Sequence, residues 1–255
     1  MKPIQHVFVG GVRAATLGRK ELAEWILTDC SVRRNEAKDQ QTRLLFDSNG
    51  HGVSLASTDA AFREALEKAD VVHADGGWIV PASRFLAGAA VPERSATTDL
   101  IHDLCAKGLA SGLTHFLLGS TEEVNSECET RLRELYPTIQ IVGRHHGFFG
   151  QAEADVIREI QAASPDVLWI GLGKPFEQLF AVRNKDNLNA RWAITCGGCF
   201  NYITGNYGRA PQWMQDNHLE WLFRAATTPT LLWRYLTTSP HAIWLALTKI
   251  DRRVV

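Results

Sequence analysis

Apolar and polar residues alternate along this chain with two different periods, and the changes of period mark its elements. Short apolar runs, among them Leu44-Leu45-Phe46, Val71-Val72, Phe116-Leu117-Leu118 and Val167-Leu168-Trp169-Ile170, have the length of buried strands. Residues 139–142 and 191–195 read the same way, and residues 5–12 as an earlier strand. Between these runs the spacing becomes helical. Leu22, Ala23, Ile26 and Leu27 share one face in 19–28; Ala61, Phe62, Ala65 and Leu66 share one in a helix that Ser57 or Thr58 would cap and that runs to Lys68. Further helices are predicted over 80–86, 97–109, 120–136, 153–163 and 175–184. Residues 31–43 are almost free of apolar side chains and read as a solvated loop.

Four of the strands give way to a glycine-bearing turn and then to a helix, at Gly76-Gly77, Gly119, Gly171-x-Gly173 and Gly197-Gly198. That order is the grammar of a parallel sheet covered by helices, so the fold class is α/β. Glycines at the carboxyl edge of such a sheet let backbone N–H groups come close to a diphosphate, which makes a nucleotide-type ligand the natural expectation. Ser120 followed by Glu123 has the spacing of a capping box, and the helix N-terminus there could hold a phosphate. Neither G-x-G-x-x-G nor G-x-x-x-x-G-K-S/T occurs, because Gly171-x-Gly173 lacks its third glycine.

Asp75 ends the run Val71-Val72-His73-Ala74 and precedes Gly76-Gly77, the place where open α/β sheets hold their ligands. It reads either as a carboxylate at a site mouth or as the N-cap of the helix that follows. Asp47 ends its strand in the same way, so a second acid beside Asp75 is conceivable, as the base itself or as a neighbour that raises its pKa. His145-His146 lacks a further ligand at metal-site spacing, and no metal is expected. Cys196-Gly197-Gly198-Cys199 is a C-x-x-C after a strand, the placement of a redox dithiol.

Composition narrows the classes. The 255 residues are 45% hydrophobic and 22% charged, enough for one large α/β domain or two small ones. A net charge of −1 gives no field that would draw nucleic acid, and none is expected as a partner. Five cysteines without regular spacing fit a reducing compartment, and with no secretory leader in the opening residues a cytoplasmic location is expected. The character changes after Gly205. The tail holds four of the eight tryptophans, Trp213, Trp221, Trp233 and Trp244, interleaved with leucines and arginines and divided by Pro229 and Pro240. Such helices either lie in a membrane interface or pack their indoles into the core. Residues 1–205 are therefore read as an α/β core and 206–255 as a helical, membrane-associating appendage.

Several short motifs then agree in order. They are Ala69-Asp70 with Ala74-Asp75-Gly76, Glu93-Arg94 with Thr98-Asp99, Phe116-Leu117-Leu118-Gly119, Tyr136-Pro137, His146-Gly147-Phe148-Phe149, Pro165-Asp166 to Gly173-x-Pro175, Arg209-Ala210-Pro211-x-Trp213-Met214, and Leu219-Glu220-Trp221-Leu222-Phe223-Arg224. In these the chain resembles the WecG/TagA/CpsF family of bacterial glycosyltransferases. The resemblance implies a Rossmann-like core and an inverting transferase that needs no metal or other cofactor. It implies transfer of a hexose or N-acetylhexosamine from a UDP-sugar to an undecaprenyl-diphosphate-linked sugar, for a cell-surface or exopolysaccharide, at the inner face of the cytoplasmic membrane. It makes Asp75 the general base, and it implies Arg224 and Arg234 closing over the diphosphate with Arg94 and Arg209 as helpers. Asn49, Gly76, Gly119, Gly171, Gly173, Glu177, Gln178 and Asn201 fall at matching pocket positions. A homo-oligomer is compatible with all of this.

The chain departs from the family pattern at Asp47, where threonine is common, at Glu177-Gln178, where amide and acid are exchanged, at Asn201 in place of aspartate, and at Leu231 in place of an arginine. These positions surround the expected sugar and base pockets. Two other classes stay open at this point: a thiol redox protein using Cys196 and Cys199, and a non-catalytic descendant that only binds nucleotide sugar.

Overall fold

The computed structural model describes residues 3–34, 41–211, 213–214, 222–223, 226 and 229–255. Six strands form one parallel sheet: β3 (Arg43–Ser48), β4 (Val71–Ala74), β5 (Thr114–Gly119), β6 (Gln140–His145), β7 (Val167–Gly171) and β8 (Trp192–Thr195), in the order β4-β3-β8-β7-β5-β6. Because strand side chains alternate, each strand feeds two cores. Leu45, Val71, Leu117, Trp169 and Ile194 face one side; Leu44, Phe46, Val72, Leu118, Leu168 and Ile170 face the other. On the first side lie α1 (Arg19–Arg34), α5 (Thr97–Gly108), α6 (Glu122–Leu135) and the short α9 (Cys199–Ile203). On the second lie α2 (Gly50–Thr58), α3 (Ala60–Lys68), α7 (Glu153–Ala163), α8 (Phe176–Arg183) and the C-terminal helix α10 (Pro229–Thr248). A further helix, α4 (Ile79–Leu86), packs on a separate two-stranded hairpin through Ile79 and Val80.

That hairpin replaces the strand expected over 5–12. Gly10 and Gly11 both adopt left-handed φ, 61° and 84°, so the chain reverses between β1 (His6–Val9) and β2 (Val12–Ala15). Two further expectations move. The polar stretch after Ser31 begins as helix, since α1 runs to Arg34. The helix ending at Lys68 is capped by Asp59, whose side chain accepts from the Phe62 N–H; Ser57 and Thr58 instead finish α2, an element not expected from its sequence. The cap of α6 shifts by one residue, to Thr121, because Ser120 takes a left-handed φ of 57°.

The tail returns to the body of the protein. Ala242 and Leu245 of α10 enter the core beneath α2, Ala246 joins the hairpin core, and Val254 pairs antiparallel with Val7. Its opposite face stays exposed, with Trp233 at 73% and Trp244 at 58% accessibility, so these two indoles do not pack into the core. No helix among the described residues is long and apolar enough to cross a membrane.

Candidate active site

The turns after β3, β4, β7 and β8 open at one edge of the sheet onto a cavity of about 600 Å³, roofed by α10 through Arg234, Leu236 and Ile243. Of the residues singled out from sequence, Asp47, Asn49, Asp75, Gly76, Arg94, Gly173, Glu177 and Arg234 line it, as do Gly77 and the Cys196-Gly197-Gly198-Cys199 turn. Gly119, Gly171, Gln178, Asn201 and Arg209 do not line it, and Arg224 and Trp221 lie outside the described residues.

Asp75 follows directly on β4, all four residues of which are buried. Its own N–H and that of Gly76 both donate to the Ser48 carbonyl at 2.9 Å, which fixes the β4 turn against the end of β3. A Cβ at Gly76 would stand 2.9 Å from the Asn49 Cα, so this approach requires glycine. The Asp75 side chain does not cap the helix that follows it. The N-cap of α4 is Trp78, which makes no side-chain bond, and Asp75 Oδ1 instead accepts from the Thr97 N–H at the start of α5, 3.0 Å away. Arg94 Nε donates to the Asp75 carbonyl at 2.6 Å, which holds that guanidinium at the cavity wall. Behind them His73 is fully buried between the Ser95 and Thr97 hydroxyls, and burial lowers its pKa, so it stays neutral.

Asp47 is committed elsewhere: it pairs with Lys174, and its Oδ2 also accepts from Asn49 Nδ2 at 2.9 Å. Asn49 in turn caps α2, its Oδ1 accepting from the Gly52 N–H. Burial alone would lower the Lys174 pKa, but the Asp47 and Glu177 carboxylates beside it raise it above the ordinary lysine value. Lys174 was not singled out from sequence. Its signal was a lysine in a strand-end glycine turn, Gly173-Lys174-Pro175, where open sheets bind ligands.

Glu177 and Gln178 serve the scaffold. Glu177 is wholly buried, and its Oε2 accepts from the Gly173 and Gly197 N–H groups, both at 3.0 Å, so one carboxylate ties two glycine turns together. Burial pushes its pKa up to about 7 against the pull of Lys174. Gln178 donates to Glu177 Oε1 and to Thr195 Oγ1. Asn201 reaches Ser120 Oγ at 3.5 Å, and Arg209 pairs with Asp99 at 2.6 Å, fastening the start of the tail to α5. Gly119 and Gly171 oppose one another at the ends of β5 and β7.

His51 also lines the cavity; burial and the cations Arg234 and Lys174 lower its pKa to about 4, which leaves a neutral imidazole. Cys196 and Cys199 are both buried and both free, and burial raises each thiol well above its ordinary pKa. Neither offers the exposed thiolate that redox exchange needs. Among the described residues no three His, Cys, Asp or Glu side chains converge as metal ligands would.

This cavity joins a carboxylate at a strand end, arginines and a strapping C-terminal helix, and known proteins share the chain that builds it. The model of the family described as "Glycosyl transferase WecG/TagA/CpsF family" matches residues 7–254. An N-acetylglucosaminyldiphosphoundecaprenol N-acetyl-beta-D-mannosaminyltransferase of Bacillus spizizenii is 29% identical over 192 residues, 75% of this chain and 74% of that protein. The enzyme of the same description from Staphylococcus aureus is 27% identical over 189 residues, 73% of this chain and 74% of its own. A match that runs from the N-terminal hairpin through α10 to Val254 covers every element lining the cavity, and the chain therefore belongs to the WecG/TagA/CpsF family of glycosyltransferases.

Proposed function

We propose that this glycosyltransferase moves a hexose or N-acetylhexosamine from a UDP-sugar to a sugar carried on undecaprenyl diphosphate, with inversion and without a metal. The observation that carries the reading is Asp75, set at the carboxyl edge of β4 on the wall of a cavity that Arg94 and Arg234 also line. In a single displacement the acceptor hydroxyl attacks the anomeric carbon, its proton passes to the Asp75 carboxylate, and the bond to the nucleoside diphosphate breaks. No second carboxylate nucleophile is needed. Asp47, paired with Lys174, is not required as an acid. The charge that develops on the leaving diphosphate falls to Arg94, held by the Asp75 carbonyl, and to Arg234 on the cavity roof. The relatives' names support a lipid-diphosphate acceptor, and the apolar strip Leu232, Leu236 and Ile243 on the cavity roof suits the passage of such a lipid.

The same helix supports a peripheral location on the inner face of the cytoplasmic membrane. Trp233, Leu236, Ile243, Trp244 and Leu247 recur at helical spacing on its exposed face, directly over the cavity mouth. Nucleotide release over a panel of UDP-sugars, with and without a lipid-diphosphate sugar acceptor and in the presence of a chelator, tests the reading. Acceptor-dependent release with one donor is expected. Nucleotide binding without release from any donor would leave a binding-only protein.

A further inference from the structure

The transfer step proposed above leaves one part of the cavity unused, the charged pair on its floor. Asp47 lies near the end of β3 and Lys174 in the turn after β7; β8 runs between these strands, and the two side chains meet across it. Their side chains are only 7% and 9% exposed, yet both residues line the cavity. A pair so dry gains little stability, because desolvation of two ions offsets most of their attraction. Its place at a ligand cavity calls for another account.

Hydrogen-bond capacity supplies it. Asp47 Oδ2 takes both the Lys174 ammonium and the Asn49 amide, while Oδ1 makes no bond within the described protein. Lys174 carries three hydrogens and spends one on Asp47. An accepting oxygen and donating hydrogens thus stand side by side and unfilled at the floor. Two adjacent hydroxyls of a sugar ring match that order, one donating to Asp47 Oδ1 and its neighbour accepting from Lys174 Nζ. Both bonds are charge-assisted and therefore strong and orienting. Location fits as well: Asp75 donates its N–H to Ser48, the residue after Asp47, so a ring held by the pair is presented beside the carboxylate of the displacement.

The geometry points to Asp47 and Lys174 as the specificity element for the transferred sugar, gripping two adjacent free hydroxyls of the donor ring. This rests on the transferase reading and names how the donor is selected. The pair touches the sugar and leaves the nucleoside diphosphate to the arginines.

The test compares the wild-type protein with Asp47→Asn/Lys174→Met, a near-isosteric double variant that leaves no buried charge unpaired, using calorimetric binding of uridine, UDP and UDP-sugars. It adds turnover of donors lacking single hydroxyls. The wild type is expected to bind its donor more tightly than UDP and to lose at least about tenfold in kcat/KM when either of two neighbouring hydroxyls is removed. In the double variant the advantage of UDP-sugar over UDP should fall about tenfold or more, the deoxy donors should no longer be discriminated, and UDP affinity should stay within about twofold. A variant that keeps the wild-type sugar preference overturns the inference. So does one that loses UDP and UDP-sugar affinity in equal measure, since the pair would then serve the diphosphate or the fold. A wild type that binds UDP no better than uridine refutes the transferase reading itself, and this inference with it.

Discussion

Asp75 Oδ1 accepts the Thr97 N–H at 3.0 Å, so the proposed base also closes an open backbone donor at the start of α5. The two roles separate by substitution. Asp75→Asn keeps an oxygen for Thr97 and removes the proton acceptor; the thermal midpoint should stay close to wild type while transfer falls at least about 100-fold. Asp75→Ala loses both, with about 1 kcal/mol of stability added to the loss of turnover. Paired thermal melts and nucleotide-release rates check this, and wild-type turnover in Asp75→Asn would strip Asp75 of the base role.

Stability should fall as the solution is acidified below pH 6.5. Burial lowers the His6, His51 and His115 pKa values from 6.5 to about 4, so the unfolded chain takes up protons that the folded one refuses. A folded pKa below the unfolded value means that the stability is present above pH 6.5 and is lost as pH falls toward 4. His115 is the clearest case, a buried residue of β5 to which Trp169 Nε1 of the neighbouring β7 donates at 3.3 Å. Denaturant titrations of His115→Gln should show a shallower acid limb, by on the order of 1–2 kcal/mol at pH 5. An acid limb as steep as that of the wild type would contradict the assignment.

The sheet and its helices were legible because its strands are short apolar runs and four of them run into glycine-bearing turns, a signal that needs no partner to read. What escaped depended on neighbours. Val53 and Ala56 make α2 only because the second face of the sheet and α10 cover them, and their sequence, rich in glycine and serine, carries no strong helical period. The site was legible as a place. Asp75 was read from its strand end and Asn49 and Arg94 from the family resemblance, and all three line one cavity, whereas the pairing of Asp47 with Lys174 joins residues 127 apart, which no local spacing reveals. Glu177 and Gln178, pocket positions by the resemblance, also carry backbone and side-chain bonds of the scaffold, which no sequence spacing reveals.

The exposed face of α10 gives a prediction on location. Trp233 and Trp244 stay mostly exposed, so Trp233→Ser/Trp244→Ser should fold like wild type and lose association with anionic vesicles. Each indole that enters the interface contributes about 1.5–3 kcal/mol of burial, so the double substitution should cost at least about tenfold in vesicle partitioning, read by co-sedimentation. Undiminished partitioning would place the membrane contact elsewhere.

Glycines at the sheet edge should differ sharply in what they tolerate. Gly119 ends β5 with φ 139°, and a Cβ there would run into the backbone carbonyl of Gly171 on the neighbouring strand. That carbonyl cannot yield without breaking the register of β5 and β7, where Gly119 stands directly opposite Gly171. The Gly119 carbonyl is held as well, by Asn125 Nδ2 at 2.9 Å, so the strand end has no slack. Gly173 also has a left-handed φ, 77°, but a Cβ added to it meets nothing within 4 Å. Gly173→Ala then pays only the conformational strain, about 1 kcal/mol, while Gly119→Ala adds a backbone clash and should exceed about 3 kcal/mol. Equilibrium unfolding of the two variants separates the cases. Equal losses would mean that the β5 and β7 ends move apart more freely than their hydrogen bonds imply.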